Sequence, residues 1–93
     1  MELGLLTLRF HLEGCQSLKE KRHRLAGLKG RFGKHSQVGI CESDFQDQTG
    51  QAEFLVTCLG QNRSQVNSIL VDIEQYAASA LDAVICDRQR EWL

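Results

Sequence analysis

From Leu3 to Glu13 the chain alternates. Leu6, Leu8, Phe10 and Leu12 occupy one phase, and Leu5, Thr7, Arg9 and His11 the other. A period of two predicts a strand with its first set facing a core. The second set starts apolar and becomes polar toward the carboxyl end, and Glu13-Gly14-Cys15-Gln16 reads as a short turn. The period then changes. Leu18, Leu25, Leu28 and Phe32 share one helical stripe, which predicts a helix over about residues 18–32. Ser17 and Glu20 have capping-box spacing, with the Ser oxygen accepting from the N3 amide and the Glu carboxylate reaching back to the cap amide.

Gln37 to Asp44 predicts a second strand with Val38 and Ile40 inward, and Phe45 to Gly50 an amide-rich turn. Gln51 to Leu59 predicts a third strand. Phe54, Val56 and Cys58 lie on one face, and Leu55, Thr57 and Leu59 on the other. The pair reads as a hairpin. Either Asn62 or Ser64 can cap a second amphipathic helix, in which Val66, Ile69, Leu70, Ile73, Ala77 and Ala80 keep helical spacing to about Leu81. Ala83 to Trp92 predicts a last strand with a polar end.

The order β-α-β-β-α-β predicts an α+β fold, the ferredoxin-like split βαβ sandwich. Right-handed crossovers set one antiparallel sheet of order 4-1-3-2 with both helices on one face. The open face then carries Leu3, Leu5, Thr7, Leu55, Thr57 and Leu59 on its two central strands. That patch is more apolar than a monomer usually leaves bare, and the expectation is a homodimer paired through it.

Ninety-three residues form one domain, 1–93, with enough apolar content for a single core. No apolar run reaches the roughly 18–20 residues that span a bilayer. Met1-Glu2-Leu3-Gly4 lacks the basic region of a signal peptide, so the expected compartment is the cytoplasm, with no membrane partner. Cys15, Cys41, Cys58 and Cys86 lie far apart, without C-x-x-C or zinc spacing. They are expected to be reduced, mostly buried and to behave as small hydrophobes.

Charge sharpens the reading. Ser17 to His35 holds seven Lys or Arg against one acid, Glu20, in a chain of net charge −1. Lys19, Arg24, Arg31 and Lys34 project away from the apolar stripe of the helix. Lys21 and Arg22 flank it, so their charged ends must snorkel outward or meet acids. Glu42, Asp44 and Asp47 are the natural partners, and the expectation is a structural ion-pair cluster tying the helix to the hairpin. The face formed by Lys19, Arg24, Arg31 and Lys34, helped by Lys21 and Arg22, suits phosphate neutralisation and salt-dependent nucleic-acid binding. Stacking aromatics are largely absent from the strands, which directs such binding to backbone shape rather than base sequence. The glycines at 27, 30 and 33 lie within the helix and form no phosphate loop; each costs up to ~1 kcal/mol relative to Ala.

Catalytic chemistry finds little support. Cys15 precedes a helix amino terminus, where a thiolate is favoured, and His11 or His23 could lie near it. No oxyanion device or third member accompanies them, so no enzyme is expected. No metal site, cofactor or small-molecule substrate is expected either.

These residues resemble a family, the YlxP-like small bacterial proteins, a domain of unknown function. Leu12-Glu13-Gly14-Cys15-Gln16-Ser17-Leu18-Lys19-Glu20-Lys21-Arg22 is similar to the family's H-L-P-G-x-x-S-L-K-E-K-R. Glu42-Ser43-Asp44-Phe45-Gln46-Asp47 followed by Ala52-Glu53 is similar to E-V-D-H-Q-D-x-W-Q-R-A-E. Phe45 stands where the family has His, Thr49 where it has Trp, and Gln51 where it has Arg. The resemblance implies a ferredoxin-like fold and no established activity. Family genes often lie beside genes for translation initiation and ribosome maturation, which implies an accessory role on rRNA or a ribosomal particle.

Overall fold

The computed structural model describes all residues, Met1–Leu93. The elements follow the expected order: β1 Glu2–His11, α1 Leu18–Phe32, β2 Val38–Asp44, β3 Gln51–Gly60, α2 Arg63–Ala80 and β4 Val84–Trp92. The fold is α+β, with one antiparallel sheet of order β2-β3-β1-β4. This is the expected 4-1-3-2 order read from the other edge. β1 and β3 are central and pair over their whole length, from Glu2↔Gly60 to His11↔Gln51.

Both helices lie on the face that carries Leu6, Leu8 and Phe10 of β1 and Ala52, Phe54, Val56 and Cys58 of β3. Leu25, Leu28 and Phe32 of α1 and Val66, Leu70, Ile73 and Ala77 of α2 close the core from above. Each large apolar side chain taken out of water there contributes about 1.5–3 kcal/mol. Phe10 and Phe54 meet edge to face at 6.1 Å, and Phe32 meets Tyr76 the same way at 5.4 Å across the two helices. Gly27 permits that helix contact, because a Cβ there would lie 2.5 Å from the Tyr76 hydroxyl.

The helix starts differ slightly from expectation. Ser17 Oγ accepts from the Glu20 amide at 3.0 Å, so half of the capping box forms. The Glu20 carboxylate turns to Arg24 instead, one helical turn on, at 3.2 Å. Asn62, rather than Ser64, caps α2 by accepting from the Gln65 amide at 2.9 Å. The polar end of β4 also has a reason: Arg88 and Arg90 both reach Glu74 of α2, and Arg90 also donates to Asn67. Trp92 does not trail free but packs against the core beneath Arg63. Of the cysteines, Cys15 and Cys58 are buried while Cys41 and Cys86 are exposed, so burial of most of them does not hold. Cys41 lies on the open face of edge strand β2, opposite Leu55, and Cys86 falls beside an irregularity in the β1–β4 pairing. No helix is long and apolar enough to cross a membrane.

Candidate nucleic-acid interface

The buried stripe of α1 comprises Lys21, Leu25, Leu28 and Phe32. Lys21 is 2% exposed. A buried ammonium requires acceptors for its protons, and the β2–β3 turn supplies them. Lys21 Nζ donates to the carbonyls of Phe45 at 2.7 Å and Gln48 at 2.8 Å, and stands 3.0 Å from Glu42 Oε2. That oxygen is buried and finds no aligned hydrogen bond; its compensation is the Lys21 charge. The expected tie between the helix and the hairpin therefore exists, through one lysine and one glutamate.

The rest of the expected ion-pair cluster does not assemble. β2 carries a register shift between Glu42 and Asp44, so that Glu42 pairs with Phe54 on the helix face while Asp44 pairs with Glu53. One extra residue moves Asp44 off the helix-facing phase. Asp44 Oδ1 accepts from the adjacent Phe45 amide at 2.7 Å, and Asp47 is exposed without an ion partner. Arg22, about a third of a turn beyond Lys21, is exposed without an ion partner.

Arg24 departs from expectation as well. It does not project freely into solvent. Its guanidinium donates to the carbonyls of Asp82 at 2.8 Å and Glu13 at 3.0 Å, and pairs with the carboxylates of Glu20 and Asp82, each at 3.2 Å. It joins the turn before α1 to the turn before β4. Only its partnership with Glu20, at i and i+4, was legible from spacing. Arg31 is exposed but lies over the rings of Phe32 and Tyr76, at 5.6 and 5.3 Å.

Six of the eleven Lys and Arg make ion pairs: Arg9, Lys21, Arg24, Arg63, Arg88 and Arg90. The five that do not are Lys19, Arg22, Lys29, Arg31 and Lys34, all exposed and all on α1 or just beyond it. Lys29 was missed as a site residue. Its signal is its place seven residues after Arg22, which puts the two on one side of the helix.

On the opposite side of the sheet, Arg9 donates to Glu53 Oε2 from Nε at 3.3 Å and from Nη2 at 2.8 Å, and Ser43 donates to Oε1 at 2.9 Å. These bonds, first from Arg9 and then from Ser43, hold the Glu53 carboxyl below its ordinary range. Burial in the core pushes the Cys58 thiol upward. The expected apolar patch is contiguous: Leu3 faces Leu59, Leu5 faces Thr57 and Thr7 faces Leu55 across β1 and β3. No group of three or more His, Cys, Asp or Glu is arranged to hold a metal ion.

The molecule is thus a small α+β protein with its unpaired cations gathered on one helix. It belongs to the family described as "Protein of unknown function (DUF503)", which matches residues 3–90. No curated protein matches it. The de novo designed protein Ferredog-Diesel is similar at a TM-score of 0.54 and 16% identity, over 96% of this chain and 83% of that one. The Bacillus subtilis YXEP protein, a dinuclear metal binding peptidase from the M20 family, is similar at 0.51 and 10% identity, over 99% of this chain but 25% of that one. The SecDF periplasmic domain P4 gives 0.48 and 21% identity, over 98% and 88%. At such identities these likenesses concern the fold alone.

Proposed function

We propose that this protein is a cytoplasmic, non-enzymatic accessory factor that binds the phosphate backbone of rRNA or a ribosomal particle through α1. The observation that carries the reading is the segregation of unpaired cations: Lys19, Arg22, Lys29, Arg31 and Lys34 are the five Lys and Arg without a carboxylate, and all lie between residues 19 and 34. Basic residues elsewhere are neutralised by acids. An ordinary solvated helix would interleave its charges with acids, whereas α1 has Glu20 alone, and Arg24 occupies it. Neutralising phosphates with free cations releases counterions and makes affinity fall with salt. We also place the fold in the ferredoxin-like class and the chain among the YlxP-like proteins, on the strand order and the Ser17–Arg22 motif.

The test is co-sedimentation with ribosomal particles at low salt. The expected result is binding that weakens with added salt, with a log–log slope no steeper than about −4.5 for five cations, and that is lost when Lys19, Arg22 and Lys29 are all changed to Glu. Arg24 is excluded from the reversal because it holds two turns together. Unchanged sedimentation of the triple variant overturns the reading.

A second reading has its own observation. The contiguous patch of Leu3, Leu5, Thr7, Leu55, Thr57 and Leu59 fits a homodimer paired through the open sheet face. That face is opposite α1, so a dimer would present two basic helices outward.

A further inference from the structure

The side of α1 that faces edge strand β2 does not close onto the sheet. A pocket of about 320 Å³ opens between them. Its lining is Leu25, Ala26 and Phe54, the exposed cations Arg22 and Lys29, and the Lys21–Glu42 pair. The volume is at the small end of ligand sites, which run from roughly 300 to 1,000 Å³. It suits one flat ring rather than an extended molecule.

The polar groups define what that ring must carry. Arg22 and Lys29 are exposed and lack an acid partner, so they call for negative charge on the occupant. Glu42 Oε2 is turned inward to Lys21, while Oε1 makes no hydrogen bond within the chain and the side chain is 26% exposed. A carboxylate oxygen accepts only, so the occupant must donate an N–H to it. An apolar ring flanked by phosphates and carrying an N–H on its edge is a nucleobase in a single strand. Unpaired bases are the usual means by which RNA is read, because the deep groove of A-form duplex hides base edges.

We propose that the α1–β2 groove receives one unpaired base bearing an exocyclic amine, cytosine, adenine or guanine in preference to uracil, with Glu42 accepting from the amine and Arg22 and Lys29 on the flanking phosphates. The inference rests on the RNA-binding reading above and adds a base-specific site to it. Uracil is disfavoured because its two carbonyl oxygens flank its one N–H and meet the carboxylate with like polarity. Acceptance of the cytosine amine by Glu is an established pairing.

The test is fluorescence anisotropy with labelled ten-nucleotide oligo-C, oligo-A and oligo-U at one low salt concentration. The wild type is expected to bind oligo-C and oligo-A about tenfold more tightly than oligo-U. Ala26→Leu fills the groove from an exposed helix position and keeps Lys21 and Glu42 themselves unchanged. It is expected to remove that preference while leaving salt-dependent binding to all three. Glu42→Gln is expected to relax it too, with circular dichroism and a melting curve run alongside because Glu42 also faces Lys21. Equal affinity for the three oligomers, abolished by Arg22→Glu with Lys29→Glu, overturns the base site and leaves backbone binding standing. No binding to any oligomer or to ribosomal particles overturns both.

Discussion

Lys21 Nζ reaches the Phe45 carbonyl at 2.7 Å, and Phe45 is the one non-glycine residue of the chain with a left-handed backbone, at φ 61°. Such a conformation is costly for a bulky side chain and persists where its surroundings hold it. Four contacts do so. Lys21 and the Gln48 amide both donate to the carbonyl, Asp44 accepts from the amide, and the Arg9 guanidinium lies 5.2 Å from the ring centre on the open side of the sheet. One residue thereby connects the helix layer to the far face through the hairpin turn.

Replacing Lys21 by Ala strands the Gln48 carbonyl, removes one of the two donors to the Phe45 carbonyl, and leaves the buried Oε2 of Glu42 without a counter-charge. Losses of this kind run to several kcal/mol. Urea unfolding is expected to show Lys21→Ala destabilised by about 3 kcal/mol or more, with Lys21→Arg intermediate because the planar fork cannot reproduce two hydrogen bonds and an ion pair converging on one nitrogen. A loss under about 1 kcal/mol for Lys21→Ala, the size of an exposed pair, would show that the turn holds itself.

Acid should weaken the sheet through Glu53. Its carboxyl is held below the ordinary 4.5 by Arg9 first and Ser43 second. A group with a depressed folded pKa contributes stability that is fully present above the unfolded value and disappears as pH falls through the folded one. The contribution is thus intact at neutral pH and is lost progressively below about pH 4.5. Glu53→Gln should lower stability at pH 7 and narrow its gap to the wild type by pH 3. Denaturant midpoints measured at both pH values check this; a constant gap would mean that Glu53 does not titrate differently in the two states.

Periodicity carried most of the architecture, since β1, β3 and both helices turn one consistent apolar face to the core, while β4 is mostly exposed and packs only Ile85 and Trp92 against it. Side-chain partners that depend on loops were not legible. Arg24 looks free on a helical wheel because Glu13 and Asp82 come from two turns distant in sequence. Asp44 looks like a partner for α1 because strict alternation puts it in phase with Glu42, and only the register shift removes it. Arg22 and Lys21 are neighbours in sequence, yet one is a solvent-facing cation and the other a buried anchor. A difference of 100° around the helix separates those roles, and the position of β2 decides which is which.

The glycines of α1 separate in the same way. Gly30 has open space where a Cβ would go, so Gly30→Ala restores helix propensity and should stabilise by about 1 kcal/mol. Gly27→Ala gains the same propensity but drives its methyl against the Tyr76 hydroxyl, while Phe32 and Arg31 restrain that ring. The melting temperature is expected to rise by roughly 4–8 °C for Gly30→Ala and to stay level or fall for Gly27→Ala. Equal rises would show that the α1–α2 contact yields freely.

The open sheet face gives the last prediction. Leu3, Leu5, Leu55 and Leu59 alternate with threonines over two adjacent strands, and Leu59 remains 46% exposed. Toward β2 the patch continues over Gly39 and Cys41, and toward β4 it meets Gln89 and Glu91. An apolar centre with a polar margin on one side has the layout of an interface core and rim. Leu5→Lys with Leu55→Lys places two charges in its middle. In a monomer both face water and cost little; in a dimer they are buried without partners. Light scattering should therefore give a dimer for the wild type and a folded monomer for the double variant, with unchanged circular dichroism. A monomeric wild type at high concentration would remove the dimer reading and leave this face as a partly apolar open sheet, without altering the case for α1.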